Sequence, residues 1–163
     1  MQISKKMNDA LNAQITLEFQ ASQAYLGMMC MFESMGLKVL GGKFRAQSEE
    51  ERGHAMKIVD YLLEVGGDVA IGELPAPKMK YDSVADAVEA ALGHEQHVTK
   101  QVHKLVDLAR KENDHATFQF LQWFVEEQVE EISSMENLLQ IVKMAGPALL
   151  NIEAYLIHMD KGE

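Results

Sequence analysis

Apolar residues recur along this chain at intervals of three and four, the period of one face of an α-helix. Four long stretches sustain it. The first opens at Ser4, a residue type suited to capping a helix, and stops at Met35-Gly36. The second runs from Leu37 to Val65, before Gly66-Gly67. Residues 66–82, GGDVAIGELPAPKMKYD, carry Pro75 and Pro77 and keep no helical period. Ser83 with Asp86 resembles a capping box with Asp in place of Glu, and a third helix follows to about Lys111. ENDH (112–115) breaks the pattern, and a fourth helix runs from about Ala116 to Met144. Gly146-Pro147 resets the chain, and PALLNIEAYLIHM reads as a short fifth helix. No stretch alternates as a half-buried strand would, so the pattern predicts an all-α protein.

Connection lengths give the topology. The first and second helices are joined tightly, as are the third and fourth, so each pair is an antiparallel hairpin. The middle connection reaches roughly 55 Å when extended, and the second helix is roughly 42 Å long. The linker can therefore return along the whole bundle. The expected architecture is a four-helix bundle with one long crossover and a short C-terminal fifth helix, in one domain over residues 1–163.

Within that pattern some polar residues occupy apolar positions. Phe44, Ile58 and Val65 recur every seven residues, and Glu51 shares their register. Gln47, His54 and Tyr61 lie three residues beyond Phe44, Glu51 and Ile58. Leu121, Met135 and Val142 share a register with Gln128, and Phe124 and Leu138 share one with Glu131. Val88, Val102 and Ala109 align with Glu95; Leu11, Tyr25 and Phe32 align with Glu18. Every long helix thus carries a carboxylate near its middle on the stripe that faces the core. The halves also agree in spacing, since Glu18 to Glu51 and Glu95 to Gln128 are both 33 residues. Glu50 and Glu127 each immediately precede a stripe residue, about 100° around the helix, and Glu130 lies on the same side as Glu127.

Buried acids at one level repel one another, and each costs several kcal/mol to desolvate; bound cations are the simplest remedy. A lone acidic run is ordinarily a solvated face, and Glu49 reads as one. A lone histidine on the stripe is ordinarily a hydrogen-bonded core residue. Four aligned acids with a Glu-x-x-His are a metal site. His94, His97, His103 and His115 lie off the seam and read as surface residues. The Met28, Met29, Met31, Met35 cluster reads as core packing.

Composition adds constraints. The formal net charge of −10 over 163 residues argues against nucleic acid or an anionic membrane as partner and suits a protein that attracts cations. The single cysteine, Cys30 in MMCMF, leaves no disulfide framework and no Cys-rich metal site; a buried, inert thiol is expected. The N-terminus lacks the apolar core of a signal peptide, and no run reaches transmembrane length, so a cytoplasmic location is expected.

Carboxylates with one imidazole suit Fe, Mn or, less selectively, Zn. Glu from two helices, with Glu-x-x-His on others, is the arrangement of di-iron carboxylate bundles. On these residues the chain resembles a prokaryotic (bacterial or archaeal) non-haem ferritin along essentially its whole length. EEERGHAMKI resembles that family's second-helix motif, Glu95 in GHEQHVTK its third-helix ligand, and FLQWFVEEQVEE its fourth-helix stretch. The resemblance implies that Glu18, Glu51 and His54 hold one iron, and that Glu51 bridges to a second iron completed by Glu95. Glu131 is then nearby, and Gln128 lies beside the dioxygen-facing side. It implies a third iron site from Glu50, Glu127 and Glu130 with Glu131 shared. Tyr25 corresponds to a tyrosine beside the di-iron centre, as one-electron donor or as a hydroxyl capping a ligand carboxylate, and Trp123 to a further electron source or packing residue. The implied activity is ferroxidase chemistry: Fe(II) oxidised by dioxygen or hydrogen peroxide, and Fe(III) stored as mineral in a homo-oligomeric cage of 24 subunits.

Bacterioferritin resembles this fold too, but it has a second Glu-x-x-His where this chain has Gln128-x-x-Glu131. Its haem-ligating methionine falls at Arg52 here, so no haem is expected. A rubrerythrin-like peroxidase would carry a Cys-rich iron domain. A mini-ferritin would place its site between subunits.

Overall fold

The Ser4 backbone is extended, and its hydroxyl accepts the Met7 amide at 3.0 Å, so the first helix starts where the capping residue places it. In this computed structural model, which describes residues 3–160, the helices are α1 (Lys5–Ser34), α2 (Lys38–Glu64), α3 (Val84–Glu112), α4 (His115–Ala145) and α5 (Leu150–Asp160). α1 ends in a Schellman motif: Gly36 takes a left-handed φ of 83°, and the Leu37 amide donates back to the Phe32 carbonyl at 3.0 Å. At the α3–α4 corner the left-handed residue is Asn113, φ 55°. Asp114 then caps α4 by accepting the Thr117 amide at 3.0 Å. Ser83 caps α3 by accepting the Asp86 amide at 3.0 Å, and its hydroxyl donates to the Asp86 carboxylate at 2.8 Å.

α1 packs closely on α2, and α3 on α4, as the two short connections require. The crossover lies along α1, held by a polar stripe that repeats every four residues. Asn8 and Asn12 both donate to the Asp68 carbonyl, at 3.1 and 2.7 Å. Asn12 accepts the Ala70 amide at 2.8 Å, Thr16 accepts the Gly72 amide at 2.8 Å, and Gln20 donates to the Glu73 carbonyl at 3.3 Å. Further on the chain presses against Gly27, where a Cβ would stand 2.6 Å from the Lys78 carbonyl. The linker thus travels the length of the bundle, as its reach allowed.

Between the ends the core is interrupted. Tyr25, Phe32, Phe44, Val88, Met135 and Val142 belong to one apolar cluster, closed over by Ile152 and Leu156 of α5. Leu11, Ile15, Ile58, Val102, Leu121 and Phe124 belong to another. The buried polar residues of mid-helix form the layer between them. α5 is fastened by charge as well as packing. Leu37 gives α2 no side-chain cap, and the Glu153 carboxylate accepts the Val39 and Leu40 amides at 2.9 and 2.8 Å instead. Met28 and Met29 are core residues, whereas Met31 is half-buried and Met35 exposed. Cys30 is only partly buried, against the rim of the first cluster, because the helix turns its position away from the Phe32 stripe. No described helix is long and apolar enough to cross a membrane.

Candidate metal centre

All four long helices contribute to the polar layer. Glu18 comes from α1, Glu51 and His54 from α2, Glu95 from α3, and Gln128 and Glu131 from α4; all six are buried. Among the described residues three sets each bring one ligand atom per residue within 4.8 Å of one another: Glu18, Glu51 and His54; Glu51, Glu95 and Glu131; and His54, Glu127 and Glu131. Glu51 belongs to the first two sets, so a single carboxylate reaches both positions.

Amide side chains orient these acids. Gln14 donates to Glu18 Oε1 at 2.8 Å. Gln47 donates to both Glu51 Oε1 at 3.0 Å and Glu131 Oε2 at 2.8 Å, which ties α2 to α4. Gln128 donates to Glu95 Oε2 at 3.2 Å and to Thr99 Oγ1 at 3.1 Å. The Tyr25 hydroxyl donates to Glu95 Oε1. Glu18 Oε2 is buried with no hydrogen-bond partner. A buried acceptor normally finds a donor, so an orphan pointing among acids is what a cation site requires. The donor set, carboxylate oxygen with one imidazole, fits iron.

The electrostatics say the same. Burial, then the neighbouring Glu51, raises Glu18 well above the usual carboxylate range. Burial and Glu51 push Glu95 up to about 7. Burial, Glu95 and Glu51 push Glu131 up to about 8. Burial pulls His54 down, but its hydrogen bond to Glu51 and the charges of Glu51, Glu18 and Glu131 carry it up to about 9. The layer holds protons that a metal ion would displace.

Glu127 reaches this layer, with Oε1 3.7 Å from His54 Nε2, whereas Glu50 and Glu130 are exposed. Glu130 lies about 130° around the helix from the middle of the core stripe, against about 70° for Glu127, and Glu131 takes the inward place beside Glu127. His94 is not a surface residue. It is half-buried, its ring centroid 6.4 Å from that of Tyr25, and burial lowers its pKa. Its position immediately before Glu95 repeats that of Glu127 before Gln128. His97, His103 and His115 are exposed, as is Glu49. Gln14 is an orienting group that the core stripe alone does not single out. Its signal was the i, i+4 spacing to Glu18, the same as Gln47 to Glu51.

The model of the ferritin-like domain matches residues 8–145. The chain belongs to the ferritin family. It is 38% identical over 154 residues to ferritin BfrB of Mycolicibacterium smegmatis, covering 94% of this chain and 85% of that one. It is 36% identical over 144 residues to the bacterial non-heme ferritin of Staphylococcus saprophyticus, covering 88% and 86%. Its backbone superposes with a TM-score of 0.91 on an open-pore ferritin from the hyperthermophilic archaeon Archaeoglobus fulgidus, at 41% identity over 94% of this chain and 96% of that one. The resemblance read from EEERGHAMKI and FLQWFVEEQVEE is therefore correct, as is the all-α bundle with a short fifth helix.

Proposed function

We propose that this ferritin oxidises Fe(II) at the polar layer and stores the Fe(III) as mineral inside a homo-oligomeric cage of 24 copies. The observation that carries the reading is the orphaned, buried Glu18 Oε2 in a layer where Glu51 serves two ligand sets. Iron is the substrate. One Fe(II) takes Glu18, Glu51 and His54; the second takes Glu51, Glu95 and Glu131, with Gln128 orienting Glu95. Two Fe(II) give two electrons, which with two protons convert dioxygen to hydrogen peroxide or hydrogen peroxide to two waters. The protein holds the pair at bridging distance with open positions. His54, Glu95 and Glu131 release protons as iron enters. Tyr25 holds Glu95 in place through its hydroxyl, and its ring makes it a one-electron donor beside the pair.

Glu127, next to His54 and Glu131, supports a third iron position on the path out of the pair, with the exposed Glu50 and Glu130 at its outer edge. Glu127→Ala with Glu130→Ala is expected to leave the initial oxidation of the iron pair intact and to change the iron-to-oxygen stoichiometry and later transfer to mineral. Unchanged stoichiometry and transfer would leave Glu127 only as a partner of His54 and Glu130 as a solvated surface acid. The primary assignment is tested by Glu51→Ala, which removes the shared ligand and should abolish the fast phase of Fe(II) oxidation in stopped-flow absorbance. Fast stoichiometric oxidation in that variant contradicts the assignment.

A further inference from the structure

Beside His54 an unbroken line of rings leads away from the carboxylate layer between α2 and α4. The His54 and Trp123 centroids are 5.4 Å apart, Trp123 and Phe124 4.9 Å, Phe124 and Phe120 5.5 Å. Phe120 then stacks on Tyr61 at 3.9 Å, with planes only 8° apart. Tyr61 does not end in a void. Its hydroxyl is 2.8 Å from Thr117 Oγ1, and Thr117 gives its own hydroxyl proton to Asp114 Oδ2 at 2.5 Å. Thr117 has one proton to give, so Tyr61 is the donor in its contact and the chain of hydrogen bonds runs from phenol to carboxylate. Tyr25 belongs to a different network, meeting Phe44, His94 and Glu95.

We propose that Tyr61 is the terminal electron donor for Trp123, so that an oxidising equivalent arriving at the indole leaves the site along Phe124 and Phe120. The Trp123 radical cation takes one electron from Tyr61 and becomes neutral indole. The Tyr61 phenolic proton moves to Thr117 Oγ1 as the Thr117 proton moves to Asp114, which leaves a phenoxyl radical and a carboxylic acid that returns its proton to water. Lys57 favours this direction. Its ammonium stands 4.2 Å from the Trp123 ring centroid, where a second positive charge on the ring is repelled and the attraction to neutral indole is lost. The route rests on the iron-oxidising reading for its oxidant. Hydrogen peroxide takes two electrons, and a layer holding a single Fe(II) supplies only one, so the other comes from the protein.

The chain contains one tryptophan and four tyrosines, which makes the transfer measurable without iron. Azide radicals generated by pulse radiolysis oxidise indole selectively in the assembled, metal-free protein. The expected result is an indole-radical absorption that decays at a concentration-independent rate as a tyrosyl absorption grows. Tyr61→Phe keeps the stack on Phe120 and should lose the tyrosyl product; Tyr25→Phe should keep it; Phe120→Leu and Asp114→Asn should slow its growth. A tyrosyl product that survives Tyr61→Phe, or an indole radical that never yields one, overturns the proposal. Stopped-flow iron oxidation on the same preparations separates the two ideas: normal Fe(II) oxidation with no Trp123-to-Tyr61 transfer defeats the route alone, whereas transfer without iron oxidation defeats the functional reading and removes the route's oxidant.

Discussion

His54 shows how one residue is used twice. Its Nδ1 is 3.3 Å from Glu51 Oε2 and its Nε2 3.7 Å from Glu127 Oε1, so both nitrogens face carboxylates and protonation satisfies both. That arrangement fixes a pH response for the metal-free protein. Glu131 ionises near 4.5 when unfolded and at about 8 when folded. Between those values the folded state holds the extra proton, and stability falls as pH rises. Glu95, held at about 7, adds to the fall. His54 carries its charge up to about 9 when folded and to about 6.5 when unfolded, so its contribution is complete below 6.5 and lost by 9. Metal-free protein should therefore melt at a lower temperature at pH 9 than at pH 5, by differential scanning calorimetry. Glu131→Gln should flatten the dependence, and a divalent ion bound only by the folded state should raise the high-pH value. A profile identical in wild type and Glu131→Gln would show that Glu131 is not held protonated by its neighbours. Arg52 is exposed where a thioether would be needed, and no Soret band is expected after haem is offered.

Among the elements, the four long helices and the acids on their stripes were legible because period and caps act locally. Glu18, Glu51, His54, Glu95, Gln128 and Glu131 share registers with buried Leu, Val and Phe, and a polar residue in such a register has nowhere to go but inward. The features that were not legible depend on contacts distant in sequence. Asn8, Asn12, Thr16 and Gln20 form a clean i, i+4 stripe, yet only the crossover backbone lying beside them gives it a purpose. Cys30 and His94 are both half-buried, against a sequence expectation of buried and exposed, for a related reason: a residue next to a stripe position is buried or not according to what the neighbouring helix presents. Glu153 is the clearest case, because nothing near it in sequence indicates that it caps α2 from more than 100 residues away. Glu153→Ala should cost about 1–2 kcal/mol, the upper part of the range for losing a helix cap, and should speed hydrogen exchange at the Val39 and Leu40 amides. Exchange there as slow as in wild type would mean that the apolar contacts of Ile152 and Leu156 hold α5 alone.

For the whole molecule, the two halves place their acids at one level, so the apolar core is divided by a polar layer that a bare four-helix scaffold would not tolerate. In the proposed cage, chains each with a formal charge of −10 would draw cations by their summed field, so the rate of Fe(II) uptake should fall as ionic strength rises and the Debye length shortens to about 8 Å near physiological salt. The central claim is that the layer is a paired-iron oxidation site, and anaerobic Fe(II) titration followed by exposure to air tests it most directly. Wild-type protein should bind two Fe(II) per chain, as the di-iron arrangement requires, and oxidise them in a fast phase on admission of oxygen. Glu51→Ala should lose that phase by more than the roughly 10–100-fold that removing even an outer partner of a ligand costs. Wild-type protein that binds no Fe(II) before air is admitted, or a fast phase that survives Glu51→Ala, would contradict the account.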